Sequence, residues 1–249
     1  MNSSKLSQCP ASIPSKFGFS LIEVVLAIGI FLVTVLALVG LLGPTLQSVD
    51  EVEKTDEVAS VVNTVNSFLQ SSPEIALGSS KFNAIYNAVL ADGSATAFVY
   101  RFYQDQTDPE APLIVRLEVG FAEGEPVGPN AKVNQPESNP ADFANAAGPI
   151  YRVVLTPSSV IPLKYHSEQT FNSDGEPIAK RNDTTGIYEL KATYKDIAKY
   201  EEGYFAMEAR IFRLDADQSA IQGGRMPTVD IANLADESSI FTYNLAVVR

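Results

Sequence analysis

The sequence predicts an α+β protein in which a long N-terminal helix packs on a mostly antiparallel β-sheet. Three observations carry that expectation. Residues 19–43 are almost wholly apolar, and helical periodicity resumes beyond Pro44. After about residue 95 the chain turns to short runs rich in β-branched and aromatic residues, separated by turn residues. The expected organisation is a leader at 1–18, a transmembrane helix at 19–43, its amphipathic continuation at 44–72 and a β-rich globular domain at 73–249.

The apolar segment comes first. Val24–Leu42 is 19 residues without a charge. At about 1.5 Å per residue it spans roughly the 30 Å of a hydrocarbon core. Lys5 and Lys16 lie upstream and Asp50, Glu51 and Glu53 downstream, so the positive-inside tendency puts the N-terminus in the cytoplasm.

Three readings fit this segment differently. A secretory signal would have a shorter apolar run and a small-x-small site after it, whereas Gly43-Pro44 follows here. A plain anchor explains length and orientation but gives no reason for Glu23. A carboxylate inside a membrane segment costs on the order of 3 kcal/mol, so its presence asks for a role. Cleavage between Gly18 and Phe19 would supply one. It would give Phe19 a free amine one helical turn from Glu23, and the two charges could neutralise each other within a chain or between neighbours. Gly18, lacking a side chain, would let a peptidase approach the backbone.

The run Gly18-Phe19-Ser20-Leu21-Ile22-Glu23-Val24 resembles the prepilin motif of type IV pilins and of the pseudopilins of type II secretion systems. The resemblance covers about residues 16–45. It implies a pilin-like fold, cleavage after Gly18 by a membrane-embedded prepilin peptidase, and N-methylation of Phe19. It also implies assembly with other pilin or pseudopilin subunits through the apolar helix, with Glu23 meeting the N-terminal amine of a neighbour. The location implied is the bacterial inner membrane, single-pass, with the C-terminal domain periplasmic or carried into an extracellular filament. Many major pilins close a C-terminal loop with a disulfide. Here the sole cysteine, Cys9, precedes the cleavage point, and the mature chain would have 231 of the 249 residues. Both departures favour a minor pilin or pseudopilin. The alternative from another class is a membrane-tethered extracytoplasmic binding domain that enters no filament.

Beyond the anchor, Gly43-Pro44 predicts a kink or break. Val49, Val52, Ala59, Val62, Val65 or Asn66, and Leu69 then form a stripe for docking along the domain, and Ser71-Ser72-Pro73 ends the helix. From Phe19 to Ser72 it would have 54 residues, roughly 80 Å if unbroken. A second helix is expected at Lys81–Leu90, capped by Ser80, with Phe82, Ile85, Tyr86 and Val89 on one face. Six strands are expected at Thr96–Gln104, Leu113–Phe121, Ile150–Thr156, Ile187–Tyr194, Tyr204–Leu214 and Ile240–Val248, one face of the sheet covering the helix. Two long polar loops, 122–149 and 157–186, would be functional or mobile. The tyrosines concentrated in 100–204 read as sheet packing.

The formal net charge of −12 excludes an electrostatic footprint for nucleic acid. Without residues 1–18 the chain keeps 16 basic residues against 30 acidic ones. With Cys9 removed there is no thiol chemistry. His166 is the single histidine and forms no legible metal set or Ser-His-Asp arrangement. Asp215 and Asp217 begin like a calcium loop, but Ala220 and Met226 stand where Gly and Glu are required; a solvated turn is the simpler reading. Gly223-Gly224 lacks phosphate-loop spacing, and Asn182-Asp183-Thr184 reads as a turn. The expectation is a protein without enzymatic activity, metal or cofactor.

Overall fold

The computed structural model describes residues 20–71, 73–76, 79–103, 112–120, 131–133, 143, 146–194, 196–214 and 230–249. The chain divides into two compact units, Met1–Asp56 and Glu57–Arg249. Helix α1 runs Leu21–Gln70, and the boundary between the units falls inside it. The expected break at Gly43-Pro44 does not occur, because residues 43–50 are helical. Pro44 removes one backbone donor, and the bonds on either side of that gap carry the helix through.

In the first unit every residue from Ser20 to Leu42 is exposed. Leu21–Leu42 is, among the described residues, one helix long and apolar enough to cross a membrane.

The second unit begins with the last turns of α1. Val61, Val65 and Leu69, four apart, are buried, with Val58, Val62 and Phe68 packed beside them. Ala59, placed on the stripe by sequence, lies two residues from Val61 and so on the opposite face; it is exposed, as is Val52. Tyr151 donates its hydroxyl hydrogen to the Glu57 carboxylate, with Arg213 Nη1 3.8 Å from the same group. At the other end, α1 has no basic residue in its last turn. Lys81, from the next helix, supplies the cation: its Nζ donates to the Phe68 carbonyl and to Ser71 Oγ and lies over the Phe68 ring.

A small hairpin, β1 (Glu74–Ala76) with β2 (Ser79–Ser80), leads into α2 (Lys81–Asp92). Ser80 is the N-cap residue of α2, although its side chain makes no capping bond. Gly93 closes the helix in the left-handed conformation, φ 76°, donating to the Val89 carbonyl.

The sheet follows: β3 (Ala95–Tyr103), β4 (Leu113–Val119), β5 (Ala131–Val133), β6 (Ile150–Pro157), a separate hairpin of β7 (Gln169–Phe171) and β8 (Pro177–Ala179), then β9 (Tyr204–Leu214) and β10 (Phe241–Val248). The order across the main sheet is β10-β9-β6-β3-β4-β5, antiparallel except for the β4–β5 pair. The fold class is therefore α+β with a mostly antiparallel sheet.

Both faces are covered, not one. Odd-numbered residues of β3, β6 and β9 (Ala97, Val99, Val153, Leu155, Phe205, Met207) join α2 and the end of α1. Tyr86, Tyr200 and Phe205 pack their rings within that core. Even-numbered residues (Phe98, Tyr100, Val154, Phe212, Leu214) form a second core with Phe143, Ile187 and Leu234. All eight residues of β6 are buried as a result.

Two further expectations need correction. Ile187–Tyr194 is not a strand: it holds one bridge, Leu190 to His166, and a short 3-10 turn at Ala192–Tyr194. Its backbone bonds go to the neighbouring segment instead, with Lys191 N–H donating to Tyr165 and the Glu189 carbonyl accepting from Ser167. Nor is 157–186 an open loop. It contains the Leu163–Tyr165 turn and the β7–β8 hairpin.

Candidate functional site at the start of the apolar helix

Ser20 stands immediately before α1 and Glu23 in its first turn. Val24 N–H closes the first helical bond onto the Ser20 carbonyl at 3.2 Å. The Ser20 backbone N–H donates to Glu23 Oε2 at 2.9 Å. This is one half of a Ser-x-x-Glu capping box, and it satisfies a donor that the helix itself leaves unpaired. The carboxylate also sits at the positive end of the helix dipole. The Ser-x-x-Glu spacing stands in the sequence, and the reading that pairs Glu23 with a cleavage-generated amine passes over it.

Glu23 is the one charge between Leu21 and Leu42. Around it Leu21, Ile22, Val25 and Leu26 are exposed, and further along Ile28, Phe31, Leu32, Leu36 and Leu41 are too. Thr34 hides its hydroxyl by donating to the Ile30 carbonyl at 2.8 Å, as a polar side chain must in an apolar setting. The arrangement is thus an apolar cylinder with a single acceptor group at one end. Chemically it can take lipid or other apolar helices along its length and a donor or cation at Glu23. Gly18 and Phe19, the residues expected to complete this site, lie outside the described residues, as do Asp215, Asp217 and Gly223-Gly224.

In the second unit the residues screened for chemistry have structural surroundings. His166 is buried, its Nε2 3.0 Å from the Ile161 carbonyl. Burial holds its pKa below the ordinary value, against the raising effect of that bond, and the Lys191 cation adds to the lowering. Asn182 forms an Asx turn, accepting from the N–H groups of Thr184 and Thr185. Among the described residues no group of three or more His, Cys, Asp or Glu is placed to hold a metal.

Sequence reading missed one charged cluster, since Arg181 lies 27 residues from Glu208 in the chain. Glu208, buried on β9, accepts from Arg181 through Nη1 at 2.9 Å and through Nη2, and from Arg210 Nε at 2.8 Å. Arg210 also donates to the carbonyls of Leu234 (3.2 Å) and Gly186. Burial would raise the Glu208 pKa, but the two guanidinium groups outweigh it and hold the carboxyl below its usual range. The cluster fastens the 181–186 turn and the 230–235 segment over the second face of the sheet. It has the form of a staple rather than an open reactive centre. Comparison with protein-family models, with curated proteins and with solved structures gives no match for this chain.

Proposed function

We propose that this chain is a pilin-like structural subunit, a minor type IV pilin or a pseudopilin. In this reading it is cleaved after Gly18, N-methylated at Phe19 and assembled through its apolar helix. The observation that carries the reading is the lone carboxylate of Glu23 in the first turn of α1, whose Leu21–Leu42 stretch is exposed and has no other charge. It is supported by the prepilin-like run Gly18–Val24 and by the basic leader. Assembly of such helices brings carboxylate and amine of neighbouring chains together where unpaired charge is strongly disfavoured, so pairing selects an axial register. The partners are a prepilin peptidase, other subunits of the same kind and the inner membrane, and the role is non-enzymatic.

One observation favours a second reading. The Ser20–Glu23 bond gives the acid a local partner, which is all that a plain anchor needs. The domain at its end would then be a tethered binding module. The mass of the mature N-terminal peptide separates the two. N-methyl-Phe19 establishes the first, whereas an intact Met1 or a start near residue 43 refutes it. In cells, Glu23→Ala is expected to abolish incorporation into filaments while the domain stays folded and anchored.

A further inference from the structure

His166 is the single histidine of the chain, and it is buried between two segments of the second unit that backbone bonds tie together. Ser167 N–H donates to the Glu189 carbonyl and Lys191 N–H to the Tyr165 carbonyl, each at 2.8 Å, with the His166–Leu190 bridge between them. From the middle of this bridge the imidazole turns inward and places Nε2 3.0 Å from the Ile161 carbonyl. A carbonyl can only accept, so Nε2 carries the hydrogen and Nδ1 the lone pair. Nδ1 is buried and, among the described residues, has no hydrogen-bond partner.

A proton taken up in acid must therefore go to Nδ1. There it becomes a buried donor without an acceptor, on a ring that is now a cation. Burial, and after it the Lys191 cation on the facing segment, oppose that charge, and the bond to Ile161 offsets them only in part. Tyr188, on the same segment as Lys191, meets the ring edge-on at 5.7 Å between centroids, and Arg181 lies over the Tyr188 ring. Each neighbouring carboxylate is turned elsewhere. Glu189 accepts from Asn182 and Thr185, and Glu168 faces Lys180. On the turn before His166, Lys164 faces Glu201 and Glu202, and the Tyr165 hydroxyl donates to Glu202. The charged ring has a place in water and none where it stands.

We infer that residues 161–168 and 187–191 form an acid-released latch, in which protonation of His166 at Nδ1 separates the two segments and bares the aromatic core beneath them. Ile161 and Tyr165 are buried there, and the Tyr165 ring lies 4.6 Å from those of both Tyr194 and Tyr200. The opening is local because the two layers are held differently. Among the described residues the segments are joined by the two backbone bonds, the Ser167 Oγ bond to the Glu189 carbonyl and the Lys191 Nζ bond to the Lys164 carbonyl. Strands β6 and β9 under them are joined along their whole length, from Ile150↔Leu214 to Pro157↔Met207. The sign follows from linkage. Above about pH 6.5 the histidine is neutral in both forms and the latch is closed. Below it, the open form takes up a proton that the closed form refuses, so the open share rises tenfold for each pH unit.

The latch lies within the second unit and does not rest on the filament reading. The test is hydrogen exchange of the untagged full chain in detergent micelles, read by mass spectrometry at pH 7.5 and pH 5.5 and corrected for the intrinsic pH dependence of exchange. Peptides covering 161–168 and 187–191 are expected to open about tenfold more at the lower pH, with β6 and β9 unchanged. His166→Gln keeps a donor for the Ile161 carbonyl and cannot titrate, so its corrected exchange is expected to be the same at both pH values. A second measurement needs no variant. One histidine gives one ring signal, and NMR is expected to show it neutral at pH 5.5 in the native chain and titrating near about pH 6.5 in urea. Unchanged exchange in the two segments, equal acceleration in β6 and β9, the same acceleration in His166→Gln, or a native ring that titrates at the ordinary pH would each overturn the inference.

Discussion

Replacing Glu208 by Ala removes the centre of the staple, and the structure sets the size of the effect. The carboxylate accepts three hydrogen bonds from two guanidinium groups. Arg181 has 39% of its side chain exposed and can be rehydrated once released, whereas Arg210, at 11%, cannot. Arg210 keeps its bonds to the Gly186 and Leu234 carbonyls, so the loss is one orphaned Nε–H and an uncompensated buried charge. Breaking a buried ion pair from one side costs about 3–5 kcal/mol. The two retained carbonyl bonds place this case at the lower end, about 3 kcal/mol. For a domain of this size that is roughly 6–12 °C in Tm. Thermal unfolding followed by circular dichroism measures it. A shift below about 2 °C would refute the argument that the charge, and not the surrounding apolar packing, holds these segments. The double variant Glu208→Leu with Arg210→Met is expected to recover most of the loss, since removing both partners leaves no buried charge unpaired.

Two further perturbations test other parts of the second unit. Gly186 has φ 70°, and a Cβ there would lie 2.6 Å from the Ala235 backbone nitrogen. Gly186→Ala is expected to destabilise by about 2–4 kcal/mol, with faster hydrogen exchange in residues 230–236; equal exchange in both proteins would contradict the close approach. His166 is buried with a pKa below its ordinary value, so the folded state holds it neutral while the unfolded chain takes up a proton below about pH 6.5. Its contribution is present at neutral pH and lost as pH falls toward the folded-state value. His166→Asn is expected to flatten the pH dependence of stability between pH 7 and pH 5 in denaturant titrations, and an unchanged slope would remove His166 from the account.

Five of the six strands were legible because Ala97, Val99, Val153 and Phe205 alternate with residues of the opposite face. Ile187–Tyr194 imitated that alternation. Ile187 enters the second core while Leu190 and Tyr194 pack against the first, yet no strand lies alongside to complete a ladder. The second core itself was hidden by its own success. A strand buried on both sides, such as β6, loses the polar half of the pattern that announces a covered face. The staple was unreadable for a different reason. Arg181 and Glu208 are 27 positions apart, and nothing local in either neighbourhood encodes their meeting. Lys81 at the end of α1 is the same kind of case, a tertiary cap supplied from another helix.

The helix cap seen at Glu23 and the role proposed for it between subunits can be separated by its chemistry. Within its own helix it accepts from the Ser20 N–H, and glutamine performs that task equally well in a capping box. Between subunits it would neutralise an ammonium, for which glutamine has no charge. Glu23→Gln therefore keeps the helix start and removes the electrostatic partner. If capping is the whole function, Glu23→Gln enters filaments, or remains a plain anchor, as the parent chain does. If pairing with an amine sets the register, the variant is retained in the membrane, folded and processed, but is lost from the fibre. The loss is expected to be at least about tenfold, because an unpaired ammonium in hydrocarbon costs at least the roughly 1.4 kcal/mol that factor represents. Quantitative mass spectrometry of sheared filaments against the membrane pool reads the ratio directly. Equal ratios for the parent chain and the Glu23→Gln variant would reduce this acid to a helix cap.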